Sequence, residues 1–453
     1  MAININHQVN QVNGFNISGS AGAGSTVGTA GIVTYYGDGS NLTGISAGGF
    51  SQDDQGNLVA GDGAGAAKDA DTCFNIMIGC NAGAALNAGD HNVLLGRSAG
   101  CSITSGINNL AIGNQAGMGL VGGAYNAFFG KDAGKCATSA CCNIFIGNGA
   151  GHGTATGLTG NHNFFGGYLA GCNLSSGCYN TAFGRRAGKN LTTGSSNVLI
   201  GNCVGMGVTT ASSNIIIGNK AMGNSSKAGG SNILIGECAG YNHCYNNMIA
   251  IGTKAGYSVN TSYGWNNVFV GNCAGYCSVN GQLNTYVGRD AGKCAVSGTY
   301  NAYFGQSAGI CATGNSNTML GACAGRCFRA GGGNTFVGKY TAHNQICGGS
   351  YNAYFGMRAG SSQCCGDGNI AIGNRALLPS ATGDKQLIIA TCVYNSDANA
   401  RCVNFIAGCQ SSEGCTHVSI GTTDVNAAVG AGLTSKLSVG IVSAYQLYGD
   451  GSN

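Results

Sequence analysis

The chain has 453 residues, of which 84 are glycine, 24 are cysteine and one is proline, and only 8% are charged. Its formal net charge is +4, and its 20 lysines and arginines form no basic run, which argues against a nucleic-acid-binding protein. The sequence contains no stretch of about 20 apolar residues, so no membrane span is predicted. Glycine does not recur at every third residue, as it does in collagen. Because 43% of the residues are hydrophobic, the composition is also not that of a disordered chain.

The first 72 residues have little periodicity and many small residues. They contain Asp53, Asp54, Asp62, Asp69 and Asp71. This spacing does not match a calcium-binding EF-hand, so we interpret the acidic segment as a solvated loop. We expect residues 1–72 to form an N-terminal attachment or capping region. The opening MAININHQVNQVNG lacks the basic and apolar segments of a secretory signal, so we expect synthesis in a cytoplasm.

Residues 73–378 contain eighteen copies of one short pattern, from NIMIGCNAG at Asn75 to NIAIGNRAL at Asn369. Each copy has an anchoring Asn, three apolar residues, Gly, two variable residues and, in most copies, Ala and Gly. Eleven of the 17 intervals between anchors are 17 residues long. A short fixed period predicts a stack of equivalent coils, each buried against its neighbours. The apolar triplets favour strands, so we predict an all-β parallel solenoid with two short strands in each coil.

Two positions of the repeat are candidates for the residues that hold the stack together. The anchor, numbered position 0, is Asn in every copy except the one at Met248, and Gly occupies position 4 in all copies. Asn amides can hydrogen-bond along a stack, and Gly permits a left-handed backbone or a close approach. The representative ladder residues are Asn75, Gly79, Asn92, Gly96, Asn109, Gly113, Asn126, Gly130, Asn214, Gly218, Asn369 and Gly373.

Both faces of the predicted strand are apolar. Side chains alternate along a strand, so positions 1 and 3 point one way and position 2 the other. One face can fill the coil, but the second would be exposed in a monomer. We therefore expect self-association, with a homotrimeric fibre as the preferred form; the number three does not follow from the spacing.

Cysteines follow the period of the repeat. Cys277, Cys294, Cys311 and Cys327 all occupy position 10 in four consecutive copies. Coils about 4.8 Å apart would bring such residues within the usual Cα separation of a disulfide. Three interpretations stay open: small buried apolar residues, a disulfide ladder between coils or chains, and a metal site, of which the last is the weakest.

The register of the repeat is lost after Pro379. We expect residues 379–453 to form a C-terminal cap or junction. The last six residues, YGDGSN, repeat those at Tyr36–Asn41, which predicts a truncated or processed chain. End-to-end joining of copies is the alternative.

Units such as NTAFGRRAGKNLTTGSSNVLIGNCVG, at 180–205, resemble the head repeats of trimeric autotransporter adhesins. They are more similar to Gly- and Asn-rich repeats of cyanophage tail-fibre proteins, and GIVTYYGDGSNLTGI at 31–45 resembles segments of cyanophage virion structural proteins. The adhesin resemblance implies a trimeric, left-handed parallel β-roll. The tail-fibre resemblance implies a virion component assembled in a host cytoplasm that acts outside the cell.

No residue pattern indicates catalysis. The seven histidines share no repeat position or metal-ligand spacing, and no cofactor motif is present. We expect a non-catalytic phage fibre that contacts itself, other virion proteins through its termini, and a host receptor, without nucleic acid or membrane. The first alternative is a microbial surface adhesin or self-assembling extracellular filament. A polysaccharide depolymerase is a weaker alternative.

Overall fold

The computed structural model describes residues 52–224, 229–243, 246–259, 264–344, 348–393, 401–410, 416–420 and 435–439. In these ranges the chain is all-β, and the described residues between 57 and 393 form a parallel β-solenoid whose coils are mostly 17 residues long. The sheet formed by the described residues has 23 strands. They are β1 Leu58–Ala60, β2 Ile76–Ile78, β3 Val93–Leu95, β4 Leu110–Ile112, β5 Ala127–Phe129, β6 Ile144–Ile146, β7 Phe164–Gly166, β8 Thr181–Phe183, β9 Val198–Ile200, β10 Ile215–Ile217, β11 Ile233–Ile235, β12 Ile249–Ile251, β13 Val268–Val270, β14 Thr285–Val287, β15 Ala302–Phe304, β16 Thr318–Leu320, β17 Thr335–Val337, β18 Ala353–Phe355, β19 Ile370–Ile372, β20 Leu387–Val393, β21 Arg401–Gln410, β22 Thr416–Ile420 and β23 Ser435–Val439.

The strands β1 to β20 pair in sequence order, each parallel to the next and in register. The fold class predicted from the repeat is therefore confirmed. The stack also includes one coil before the first recognised copy, beginning at Asn57, and one after the last, beginning at Gln386. At about 4.8 Å per coil, the stack is about 90 Å long.

Each described coil of the repeat contains one three-residue strand, so the prediction of two strands was wrong. After the strand, the backbone turns repeatedly. In the coil of Asn75 it has positive φ at Gly79, Asn81 and Gly83, and the same positions recur along the stack. Left-handed residues at alternate positions prevent a second extended run. Outside the strands, isolated bridges such as Ala137–Leu158 and Gln282–Thr299 occur between coils.

The turns nevertheless continue the hydrogen-bond ladder. Gly83 N donates to Ala99 O of the following coil at 3.0 Å, while Gly96 N donates to Ile78 O of the preceding coil at 2.8 Å. Bonds in both directions satisfy backbone groups that a narrow coil could not pair internally. Each coil is thus bonded to its neighbours through its turns as well as its strand.

The core is a narrow column inside the coils. The middle residue of every strand from β2 to β19 is buried, as are the small residues at position 7. Aromatic rings stack between successive coils, with centroids 5.2 Å apart for Phe128 and Phe145 and 4.7 Å for Tyr286 and Tyr303. Position 11 also points inward: it is Leu86 or Leu191 in some coils but Ser278 and Ala295 in the coils before the two tyrosines. Small residues there leave room for the larger rings.

The parallel stacking ends after β20. This longer strand pairs antiparallel with β21, which in turn pairs antiparallel with β22, and β22 pairs parallel with β23. A register shift between Ile389 and Ala390 interrupts the first of these pairings. The change of direction lies within residues 379–453. The capping roles of both terminal regions stay predictions, and the GDGSN motifs at both ends lie outside the described residues.

The repeat glycine at position 4 allows the coils to approach closely. Gly130 has a φ of 127°, and a Cβ on it would lie 2.7 Å from Gly147 O and 2.8 Å from Gly147 C. Such a φ is essentially restricted to glycine, and the contact is with backbone that cannot move aside.

We expect Gly130→Ala to destabilise the solenoid by about 3 kcal/mol or more, because it combines backbone strain with an overlap between coils. Gly122→Ala is the control, since its Cβ would lie 3.6 Å from Ser105 Oγ at an ordinary φ, and its effect should stay within about 0.5 kcal/mol. Chemical denaturation followed by circular dichroism measures both. Equal midpoints for the two variants would contradict the role assigned to this glycine.

Candidate functional site

The anchoring asparagines form a buried ladder of side-chain amides through the stack. Asn92 N and Asn92 Nδ2 both donate to Asn75 Oδ1, at 2.9 and 3.0 Å, and Asn92 Nδ2 also donates to Gly106 O at 2.8 Å. Asn109 repeats these contacts with Asn92 and Gly123. Asn75 Oδ1 and Asn92 Oδ1 therefore each accept two hydrogen bonds, and the amide nitrogens of Asn92 and Asn109 each donate two. This pairing offsets the cost of burying these polar side chains.

The structure places the predicted ladder residues in this arrangement. Asn75, Asn92, Asn109, Asn126, Asn214 and Asn369 are all at most 2% exposed. The paired glycines Gly79, Gly96, Gly113, Gly130, Gly218 and Gly373 all have φ between 121° and 138°. In these coils the asparagine lies directly before the strand and the glycine directly after it. Their role is to hold the coils in register.

The ladder is modified where the anchor is Met248. Met248 N still donates to Asn232 Oδ1, at 2.8 Å, but its side chain has no amide. The imidazole of His243 takes that place, with Nε2 3.2 Å from Asn232 Oδ1. His243 occupies position 11, an apolar core position in coils with Leu86 or Leu191, and is fully buried. The anchor position thus carries the apolar side chain of Met248, and position 11 of the preceding coil carries the polar side chain of His243.

Sequence reasoning missed this role of His243. The available signal was the coincidence, five residues apart, of the only anchor without an amide and a histidine at a position that is apolar in most copies. Either feature alone carries little information. Together they indicate that the two substitutions compensate for each other in a buried hydrogen bond.

Asp53 ends the ladder on the N-terminal side. Asn57 N and Asn57 Nδ2 donate to its two carboxylate oxygens, at 2.7 and 3.2 Å, where a preceding coil would have offered an amide oxygen. Lys68 Nζ lies 3.0 Å from Asp53 Oδ2. Burial alone would raise the pKa of Asp53, but the hydrogen bonds from Asn57 and Lys68 outweigh it and lower the pKa below its usual value. The interpretation of Asp53 as part of a solvated loop missed this contact.

Gln386 ends the ladder on the other side. Its backbone N donates to Asn369 Oδ1 at 2.8 Å, as an anchor does. Its longer side chain turns into its own loop, where Oε1 accepts from Ser380 N at 2.7 Å and Nε2 donates to Gly383 O at 2.7 Å. One additional methylene directs the amide away from the ladder. The stack therefore has a distinct last rung.

The four cysteines at position 10 lie in consecutive coils, joined by backbone bonds such as Cys277 N to Lys293 O at 2.8 Å. All four carry free thiols; Cys294 is exposed and Cys277, Cys311 and Cys327 are half-buried. Burial is the largest cause of a raised pKa at Cys277 and Cys311. The disulfide ladder stays a prediction.

Within the residues that the structure describes, no cluster of three or more His, Cys, Asp or Glu side chains could hold a metal ion. Across the same ranges, no helix has the length and apolar character needed to cross a membrane.

The outer side of the strands forms a continuous apolar surface, which we call the strand face. It consists of positions 1 and 3 of β2 to β19, all apolar except Thr181, Thr285, Thr318, Thr335 and Gly166. These side chains are half-buried or exposed, for example Ile200 at 39%, Ile215 at 40% and Leu320 at 49% exposed. Two apolar columns therefore run side by side along the stack.

We expect Asn214→Ala to destabilise the protein by about 2–4 kcal/mol, since it removes the acceptor of Asn232 N and one acceptor of Asn232 Nδ2 inside the core. Asn202→Ala is the control, because Asn202 is exposed and its two side-chain hydrogen bonds, with Asn219 Oδ1 at 3.2 Å and Cys203 Sγ at 3.6 Å, lie at the surface. Its effect should stay below about 0.5 kcal/mol. Denaturation midpoints measure the difference, and an equally mild effect at Asn214 would show that the ladder contributes little.

We expect the first coil to lose protection as the pH falls through the lowered pKa of Asp53. A carboxyl with a lowered folded-state pKa stabilises above its unfolded pKa, about 3.8, and this stabilisation is lost on protonation in the folded state. Hydrogen exchange at Leu58 and Val59, corrected for intrinsic rates, should rise at low pH, while exchange at Leu199 should not. In Asp53→Ala the protection should be low at every pH. Unchanged protection in that variant would rule out the capping role.

Searches with this chain found no matching family model, no matching curated protein and no matching solved structure. The described residues thus form a stack in which neighbouring coils stabilise one another through the amide ladder, with an apolar strand face on its outer side.

Proposed function

We propose that this chain is a non-catalytic structural fibre subunit of a phage virion, in which three copies associate along their strand faces. The observation that carries the proposal is the exposure of two apolar columns along eighteen consecutive strands. The fibre would act as a rigid spacer and contact a host receptor. Assembly would take place in the host cytoplasm, and the termini would join other virion proteins.

The size of the strand face supports self-association. A strip about 90 Å long and about 10 Å wide has an area on the order of 900 Å². The largest apolar patch on an ordinary monomer is about 300–600 Å², whereas a standard protein interface buries about 800 Å² on each partner. The strand face is therefore larger than the apolar patch of an ordinary monomer, and in total area it is comparable to the surface that one partner buries in a standard interface.

Three copies suit the arrangement of this face. With its two columns, each subunit can contact one neighbour through position 1 and the other through position 3. Three is the smallest number of identical copies in which every subunit has two different neighbours and such head-to-tail contacts close into a ring. The same number is implied by the resemblance to trimeric adhesin heads, and the rod shape by the parallel stack.

The first experiment is the mass of the purified chain in solution. We expect a particle of three times the 45.0 kDa chain mass, measured by light scattering after size exclusion. Ile200→Lys/Ile215→Lys should dissociate it, because burying two unpaired charges at each interface is costly. Asn202→Lys/Asn219→Lys changes exposed turn residues of the same two coils and should leave it intact. A native monomer, or equal effects of both variants, would contradict the proposal.

An antibody against the purified chain tests the virion assignment. We expect it to label the fibres of phage particles in electron micrographs. Labelling of a microbial cell surface or of extracellular filaments would favour the alternative assignment instead. Release of reducing sugar from host envelope polysaccharide by the purified chain would overturn the non-catalytic assignment in favour of a depolymerase.

A further inference from the structure

Positive charge is concentrated in one part of the solenoid. Residues 317–378 contain five basic residues and one acidic residue, Asp367. From chain totals of 20 and 16, this leaves 15 basic and 15 acidic residues elsewhere. The whole net charge of +4 therefore comes from this segment. The basic residues are Arg326, Arg329, Lys339, Arg358 and Arg375.

A cleft of about 480 Å³ lies among these charges. It spans three consecutive coils, and its lining residues are Arg326, Tyr340, His343, Asn344, Arg358 and Ser361. No carboxylate is among them. The volume falls in the range of small-ligand sites, about 300–1,000 Å³.

The two guanidinium groups at the cleft are available to a ligand. In the part of the chain that the structure describes, neither Arg326 nor Arg358 forms an ion pair or a side-chain hydrogen bond. Arg358 lies against the ring of Tyr340, with its guanidinium carbon 5.6 Å from the ring centroid. A cation held against an aromatic face keeps its outer N–H groups free for an oxyanion.

The only acidic side chain of the segment has another role. Asp367 Oδ1 accepts a hydrogen bond from Ser350 N at 2.6 Å, and Asp367 does not line the cleft. The cationic groups are therefore not neutralised from within the segment. An anion entering the cleft would gain charge-assisted hydrogen bonds without displacing an existing ion pair.

We propose that this cleft binds an anionic saccharide through a sulfate or carboxylate group held by Arg326 and Arg358. Ser361, Asn344 and His343 supply the polar groups that sugar hydroxyls require. The binding of such a saccharide stands on the cleft alone. Its assignment to a host-surface polysaccharide rests on the proposed fibre function.

The cleft suits a saccharide better than a nucleic acid. Single-stranded nucleic acids need a basic groove that follows several phosphates and open aromatic faces on which bases stack. Here the lining extends over three coils, about 10 Å. The Tyr340 ring is already in contact with Lys339, 5.2 Å from its centroid, and with Arg358.

The cleft is also compatible with the proposed trimer. Its residues occupy positions 6, 9 and 10 of their coils, in the turns that follow the strand. Positions 1 and 3, on the strand face, would be covered by neighbouring copies. Association along the strands would repeat the cleft on each subunit, which raises the avidity for a polymeric ligand.

The test is calorimetric titration of the intact chain with three polymers of one backbone: dextran sulfate, carboxymethyl dextran and uncharged dextran. We expect at least one charged polymer to bind and uncharged dextran not to bind. Arg326→Gln/Arg358→Gln should weaken binding by roughly tenfold or more. The control Arg97→Gln/Arg185→Gln removes the same charge from exposed turn residues elsewhere and should change affinity less than about twofold.

Three results would overturn the saccharide site. They are no binding of either charged polymer, equal weakening in both double variants, and tighter variant-sensitive binding of a single-stranded oligonucleotide. Circular dichroism and the denaturation midpoint verify that all proteins are folded.

Light scattering on the same samples separates the two proposals. A monomer that binds through these arginines would remove the fibre assignment and keep the site, whereas a trimer without binding would do the reverse.

Discussion

The structure depends on one repeated hydrogen-bond arrangement, in which a buried asparagine oxygen accepts from the backbone of the next anchor and, in most coils, also from its side chain. The contacts of Asn92 and Asn109 are the same as those of the anchors on either side. Because a buried amide without partners is costly, a coil shifted along its neighbour would lose several bonds at once. This penalty fixes the register that the apolar residues alone would leave open.

Register in turn determines the surface. With one residue of each strand held inside the coil, its two flanking residues must lie outside, and in-phase repetition aligns them in columns. The strand face is therefore a direct result of the same ladder that stabilises the core. A sequence that keeps Ile, Val, Leu and Phe at these outer positions retains an apolar surface much larger than a monomer needs.

The parallel solenoid and its period could be predicted from the sequence, because the spacing of Asn75, Gly79 and their equivalents is a long-range signal that needs no knowledge of contacts. The number of strands in each coil could not, since non-glycine residues such as Asn81 and Ser98 adopt a positive φ that composition does not indicate. The roles of Asp53 and His243 depend on pairing across coils. The cleft at Arg358 likewise depends on which turns the stack places together.

The terminal rungs set the extent of the ladder. At one end, the groups that Asn57 would donate to another anchor are taken up by Asp53; at the other, the amide of Gln386 is engaged in its own loop. In the described residues, the side-chain amides of both terminal rungs are thus engaged in local hydrogen bonds. The number of repeat units in the sequence thus determines the length of the solenoid. Inserting or deleting one unit would change that length by about 4.8 Å. It would not create a terminal rung through which copies could polymerise end to end along the ladder.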